Sequence, residues 1–188
     1  TQRPDSHAVF LRTQVGVELG DPVVISSGIS LTNITDSALD TSGGVHLLSI
    51  RQDGLYYVRR NPTRVWENAE KITSDAAESA AIAVSQDGKV HVIWWGFLPI
   101  STSMFYCERQ ANGVWSEPLL LDDGYGGDIA VDGFGGVHLA YGHPWDAYTI
   151  SGFYQYRTPE GVWQEPLNLT MAQYGALIAV GAANNVHM

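Results

Sequence analysis

A single cysteine, Cys107, stands among 188 residues, so an internal disulfide and a cysteine-built zinc site are both excluded. No apolar run approaches the roughly 18 residues that a helix needs to cross a bilayer, which argues against membrane insertion. Basic side chains are scarce: 10 Lys and Arg face 20 Asp and Glu, a net charge of −10. Such a surface repels nucleic-acid phosphates and anionic lipid. Charged residues reach only 16%, and no stretch carries a helical period. Phosphate-loop and dinucleotide fingerprints are missing, as is a Ser-His-Asp order. The chain opens at Thr1 without an initiator Met or a leader pattern, which reads as a removed leader or as a piece of something longer. Low Cys and Lys with abundant Trp, Gly and Asp suit a secreted or extracellular protein, and Asn33-Ile34-Thr35 and Asn168-Leu169-Thr170 match glycosylation sequons.

What is present is a repeat. Gly44-Val45-His46 recurs as Lys89-Val90-His91, Gly136-Val137-His138 and Asn185-Val186-His187, at His-to-His steps of 45, 47 and 49 residues. Eight residues before each Val stands Ile82, Ile129 or Ile178, each opening an Ile-Ala-Val triplet, with Ser37-Ala38-Leu39 as a weaker copy. Trp66, Trp115 and Trp163 lie downstream, each with an arginine six residues earlier: Arg60, Arg109 and Arg157. Strands rich in β-branched and aromatic residues alternate with turns of Gly, Asp, Asn and Pro. One unit reads as four antiparallel strands. Four-stranded repeats of about 40–50 residues predict an all-β fold, a β-propeller, with each blade apolar on both faces.

The pattern resembles the sialidase-like, Asp-box (BNR) repeat group. Ile129 to Asp132, Gly136 to His138 and Arg109 to Pro118 follow that group's order along nearly the whole chain. The boxes themselves are degenerate: the turns read Gln110-Ala111-Asn112-Gly113 and Thr158-Pro159-Glu160-Gly161, without the group's Ser and Asp. The resemblance implies one propeller domain over 1–188, with complete blades of about 47 residues at 37–79, 80–126 and 127–175. Residues 176–188 supply the first strands of a composite blade, and 7–26 supply its third and fourth, His7 to Arg12 and Val17 to Ile25. That gives a four-bladed ring, a piece of a larger propeller, or a ring assembled from two or more chains, since an open edge strand invites pairing.

Function is sought on the face holding the connections between second and third strands. The segments Gly96 to Ser103 and Gly142 to Gly152 read there as lengthened loops, and the connections into the next blade add Tyr125 and Tyr174. Lengthened loops on one face of a repeat array commonly carry function. Trp95, Phe97, Tyr125, His143, Trp145, Asp146, Tyr148 and Tyr174 are expected to ring a shallow cleft. Flat aromatic faces beside carboxylates and amides suit sugar rings, with their apolar C–H face and hydroxyl rim. A glycan or polysaccharide is therefore the expected partner, with no cofactor and no metal.

Catalysis is the rival expectation: a glycoside hydrolase or polysaccharide lyase. Asp75, Glu78, Asp122, Asp123, Asp128 and Asp146 are candidate carboxylates for hydrolysis. His143 with Tyr148 or Tyr174 could serve as the acid and base of a lyase. The resemblance also implies that an active sialidase carries an Arg-Ile-Pro motif, which this sequence lacks. An inert scaffold is the third reading. The repeated His46, His91, His138 and His187 occupy one position in separate units, so they read as hydrogen-bond anchors. Trp66, Trp115 and Trp163 read as core between blades, and the three arginines as structural.

Overall fold

The computed structural model describes residues 33–98, 101–144, 150–169 and 177–188, together with four short strands nearer the N-terminus. Those four strands pair in two hairpin-like sets. Strand β1 (Phe10–Leu11) pairs with β4 (Val23–Val24), and β2 (Gln14–Val15) with β3 (Glu18–Leu19). Three four-stranded antiparallel sheets follow. The first holds β5 (Ile34–Leu39), β6 (Val45–Arg51), β7 (Gly54–Arg60) and β8 (Glu70–Thr73). The second holds β9 (Ser79–Val84), β10 (Val90–Leu98), β11 (Ser101–Arg109) and β12 (Leu119–Asp122). The third holds β13 (Tyr125–Val131), β14 (Val137–Pro144), β15 (Ile150–Arg157) and β16 (Leu167–Asn168). A last pair, β17 (Ala179–Val180) with β18 (Val186–His187), repeats the first two strands of a sheet. The described residues are all β, with no helix.

Each sheet is a simple meander, because the turns are short and left-handed where glycine allows it. Gly43, Gly88 and Gly135 take φ of 85°, 81° and 90° in the turns between first and second strands. The sheets stand side by side: β5 packs on β9, β9 on β13, and β13 on β17. Alternation along the strands feeds two separate cores, as a sheet buried on both faces requires. From the second sheet, Ala80, Ile82, Val90, Val92 and Trp94 pack against Leu48, Leu55 and Tyr57 of the first. Ala81, Ala83, Ile93, Met104 and Tyr106 pack against Ile129, Val137, Leu139 and Tyr141 of the third.

Polar clamps join the same neighbours. Asp36 Oδ2 accepts the Ile82 amide at 2.9 Å, and Asp128 Oδ2 accepts the Ile178 amide at 2.9 Å. Arg109 donates to both oxygens of Glu70, at 3.0 and 2.7 Å, and the Trp115 indole N–H donates to the same carboxylate at 2.6 Å. Trp115 and Trp163 meet the tyrosines of the preceding sheet edge-on, Tyr57 at 5.3 Å and Tyr106 at 5.0 Å. Trp115, Trp163, Arg109 and Arg157 thus lie between sheets, where packing, hydrogen bonds and ion pairs engage them, whereas Trp66 packs on the core of its own sheet.

Candidate functional site

The described parts of the two segments read from sequence as long loops are strand. In the second sheet Gly96, Phe97 and Leu98 continue β10 opposite Ser103, Thr102 and Ser101. In the third, His143 and Pro144 continue β14 opposite Ser151 and Ile150. The hairpins extend because the β10–β11 and β14–β15 ladders run through Gly96 and Gly142 without a shift in register. Tyr125 likewise opens β13 rather than lying in a connection, paired with Gly142. Gly96 is needed for a separate reason: a β-carbon there would collide with the Ala76 carbonyl oxygen.

Three of the expected site residues meet at this end. Trp95 and Phe97 lie on the same side of β10, with ring centroids 5.5 Å apart and planes at 74°. Tyr125 reaches Trp95 from the third sheet at 6.1 Å and 65°. Phe97 is 62% exposed, so this edge-to-face cluster presents a ring to solvent. The Trp95 indole nitrogen is buried without a hydrogen-bond partner.

His143 follows Gly142, the strand partner of Tyr125. Its ring leans on Phe153 at 5.2 Å, and its Nε2 stands 3.5 Å from Asp122 Oδ1. The Tyr141 hydroxyl donates to Asp122 Oδ2 at 3.1 Å. Burial, with the Asp122 charge beside it, pushes the Tyr141 phenol far above its ordinary range. His143 Nδ1 has no partner. A carboxylate thus stands beside one ring nitrogen, and the other is buried. Trp145, Asp146, Tyr148 and Tyr174 lie outside the described residues.

The remaining carboxylate candidates are dispersed. Asp75 bonds Thr73 locally, and Asp123 donates its amide to Asp122. Asp128 spends its oxygens on the Ile129 and Ile178 amides. Asp36 is its counterpart in the first sheet, each standing ten residues before the repeat histidine. Burial raises the Asp36 pKa, its amide bonds oppose that, and the Asp128 charge adds to the rise. The repeat offset would have revealed Asp36, but the sequence reading did not single it out.

His46 and His138 are hydrogen-bond anchors at both ring nitrogens. His46 Nδ1 and His138 Nδ1 each stand 2.8 Å from a tyrosine hydroxyl, Tyr57 and Tyr154. Their Nε2 atoms stand 3.2 Å from Asp40 and Asp132. Arg109 and Arg157 serve Glu70 and Glu108 rather than converging on a common point. Among the described residues no three His, Cys, Asp or Glu gather as a metal cage.

The opposite end of the sheets holds hollows that the sequence reading did not foresee. One of about 220 Å³ lies among the turns of the second and third sheets and the C-terminal pair, lined by Ser85, Gln86, Asp132 and Asn184. Two smaller ones adjoin the 85–89 and 133–135 turns.

No family model matches this chain, and none of the curated proteins does. Among solved structures, the Hadza microbial sialidase Hz136 superposes with a TM-score of 0.56 at 13% identity, over 77% of this chain. The fold is similar to a sialidase's. The chain spans only 39% of that sialidase's length. A fucose lectin from Kordia zhangzhouensis, solved with methyl-fucoside, overlaps 69% of this chain and 94% of its own. Its TM-score of 0.46 at 18% identity is too loose to carry an argument.

Proposed function

We propose that the three sheets are blades of a sialidase-like β-propeller, and that its hairpin end recognises glycans. The blade reading rests on first strands that pack side by side in chain order. In it, β17 and β18 join the N-terminal strands to complete a fourth, composite blade, so 1–188 is one domain. The degenerate Asp-box turns are then relics of the repeat.

The observation that carries the functional reading is the Trp95–Phe97–Tyr125 cluster beside the His143–Asp122 pair. An exposed ring supports the C–H face of a pyranose, and the half-buried His143–Asp122 pair beside it offers polar partners for hydroxyls. Trp145, Asp146, Tyr148 and Tyr174 complete the rim in this reading. A secreted or extracellular setting fits such a partner. A glycan array followed by calorimetry on the best sugar tests the proposal. Phe97→Ala should weaken binding about tenfold or more, because one exposed stacking ring is worth roughly 1.4 kcal/mol. Retention of full affinity in that variant would overturn the assignment of the site.

One arrangement favours catalysis as a second reading. Asp122 stands 3.5 Å from His143 Nε2, a carboxylate–imidazole pair of the kind that general acid–base catalysis uses. Incubation with uronate-containing polysaccharides, followed by ultraviolet absorbance of unsaturated ends, tests it. Activity that survives His143→Gln would remove His143 from the chemistry.

A further inference from the structure

The histidine that opens the second strand is held alike in the first and third sheets and differently in the second. His91 keeps its tyrosine, with Nδ1 2.8 Å from the Tyr106 hydroxyl. Where the other sheets carry Asp40 and Asp132, this one carries Ser85. The serine hydroxyl is turned to Asp87 and to the Lys89 backbone. His91 Nε2 is left without a partner in a residue only 2% exposed. An orphaned buried nitrogen is destabilising, and the neighbouring sheets show which group is missing.

His91 lines a hollow of about 70 Å³, together with Ser85, Lys89, Phe134 and Arg157. A second hollow of about 160 Å³ adjoins it and shares Ser85, Asp87, Phe134 and Gly135. Phe134 is 77% exposed, at a turn position filled by Ser42, Asp87 and Ala183 in the other units. The charges of the cleft are already balanced. Lys89 pairs with Asp87 at 3.1 Å, and Arg157 with Glu108 at 3.0 Å. An ion would therefore find no unmatched countercharge. A neutral ring bearing hydroxyls would find one flat apolar wall and polar groups opposite.

We propose that this cleft between the second and third sheets binds a neutral pyranose, whose C–H face lies on Phe134 and whose hydroxyl reaches toward His91 Nε2. A hydroxyl both donates and accepts, so it satisfies that nitrogen in either tautomer. The site lies at the opposite end from the Trp95 cluster and does not depend on it.

Titration of the 188-residue chain with the methyl pyranosides of glucose, mannose, galactose and fucose tests this, read by NMR at the His91 imidazole and the Phe134 ring. At least one sugar should shift both sets of signals. Phe134→Ala should weaken that binding about tenfold or more. Ser85→Asp with Lys89→Gly, which rebuilds the turn of the neighbouring sheets and fills the gap, should abolish it. Phe97→Ala should leave these shifts in place, which separates this cleft from the hairpin end. The proposal is overturned if none of the four sugars moves the His91 signals, the hollow then holding water only. It is equally overturned if the shifts persist undiminished in the Phe134 and Ser85/Lys89 variants.

Discussion

Gly136 and Asp132 compete for the same space: a β-carbon on Gly136 would stand 2.6 Å from Asp132 Oδ2. Gly44 stands in the same relation to Asp40. In the second sheet the pair is Ser85 and Lys89, so the shorter side chain accompanies the added β-carbon. The aspartate earns its place by accepting the turn amides and bonding the histidine, as Asp132 does with Phe134, Gly136 and His138.

This coupling predicts a non-additive pair of substitutions. Ser85→Asp alone places a carboxylate against the Lys89 β-carbon and should destabilise by about 1–3 kcal/mol. Lys89→Gly alone should cost about 1 kcal/mol in backbone entropy. Together they should restore the His91 bond and bring stability to wild type or about 1 kcal/mol above it. Urea denaturation of the four proteins measures the cycle, and simple additivity would refute the steric coupling.

A pH dependence follows from the same histidines. Burial holds His91 down, to about 4, against the pull of the Glu108 carboxylate. Burial lowers His46 too, against Asp40. A histidine that folds neutral takes up its proton more readily when unfolded. Stability should therefore fall as pH drops below the ordinary value of 6.5 and level off below about 4 for His91. Each unit of depression is worth about 1.4 kcal/mol. The aspartates act lower. Burial alone would raise Asp40 and Asp132, but their hydrogen bonds outweigh it and hold both below 3.8. Their contribution persists through the histidine window and is lost only as pH falls through their own depressed values. Melting curves from neutral to acidic pH check the order, and His91→Gln should flatten the first drop.

The Glu70 carboxylate gathers two arginine bonds and an indole bond from the next sheet. Burial works against its charge, but the Arg109 and Trp115 bonds prevail and lower its pKa. Glu70→Gln keeps the shape and removes the charge. Because Glu70 is about one-third exposed, solvent discounts the loss, and about 1–2 kcal/mol is expected. Chemical denaturation of that variant measures it. An unchanged midpoint would mean that aromatic packing alone joins the first two sheets there.

The fold was more legible than the site. A repeat states its architecture several times over, so Val45, Val90 and Val137 announce three second strands from sequence alone. Strand ends were less legible. Gly96 and Gly142 look like loop openings in sequence, yet ladder pairing carries both strands onward. A glycine signals a close approach as well as a turn, and only the Ala76 carbonyl beside Gly96 says which. The cleft near His91 was invisible because its signal is a missing carboxylate, and the absence means something only once His46 and His138 are seen with theirs.

Ring closure makes the last prediction. The C-terminal pair offers the first two strands of a sheet, and the N-terminal strands β1 and β4 pair as a third and fourth would. If the two ends complete one blade within a chain, light scattering should return the monomer mass of 20.5 kDa at all concentrations. Deleting residues 1–26 would then expose the edge of β18 and should drive association, since an unpaired edge recruits another strand. If the intact chain already runs as a dimer or larger, the blade closes between chains. The hairpin-end rim, to which Tyr174 is assigned, would then have to be drawn across two copies.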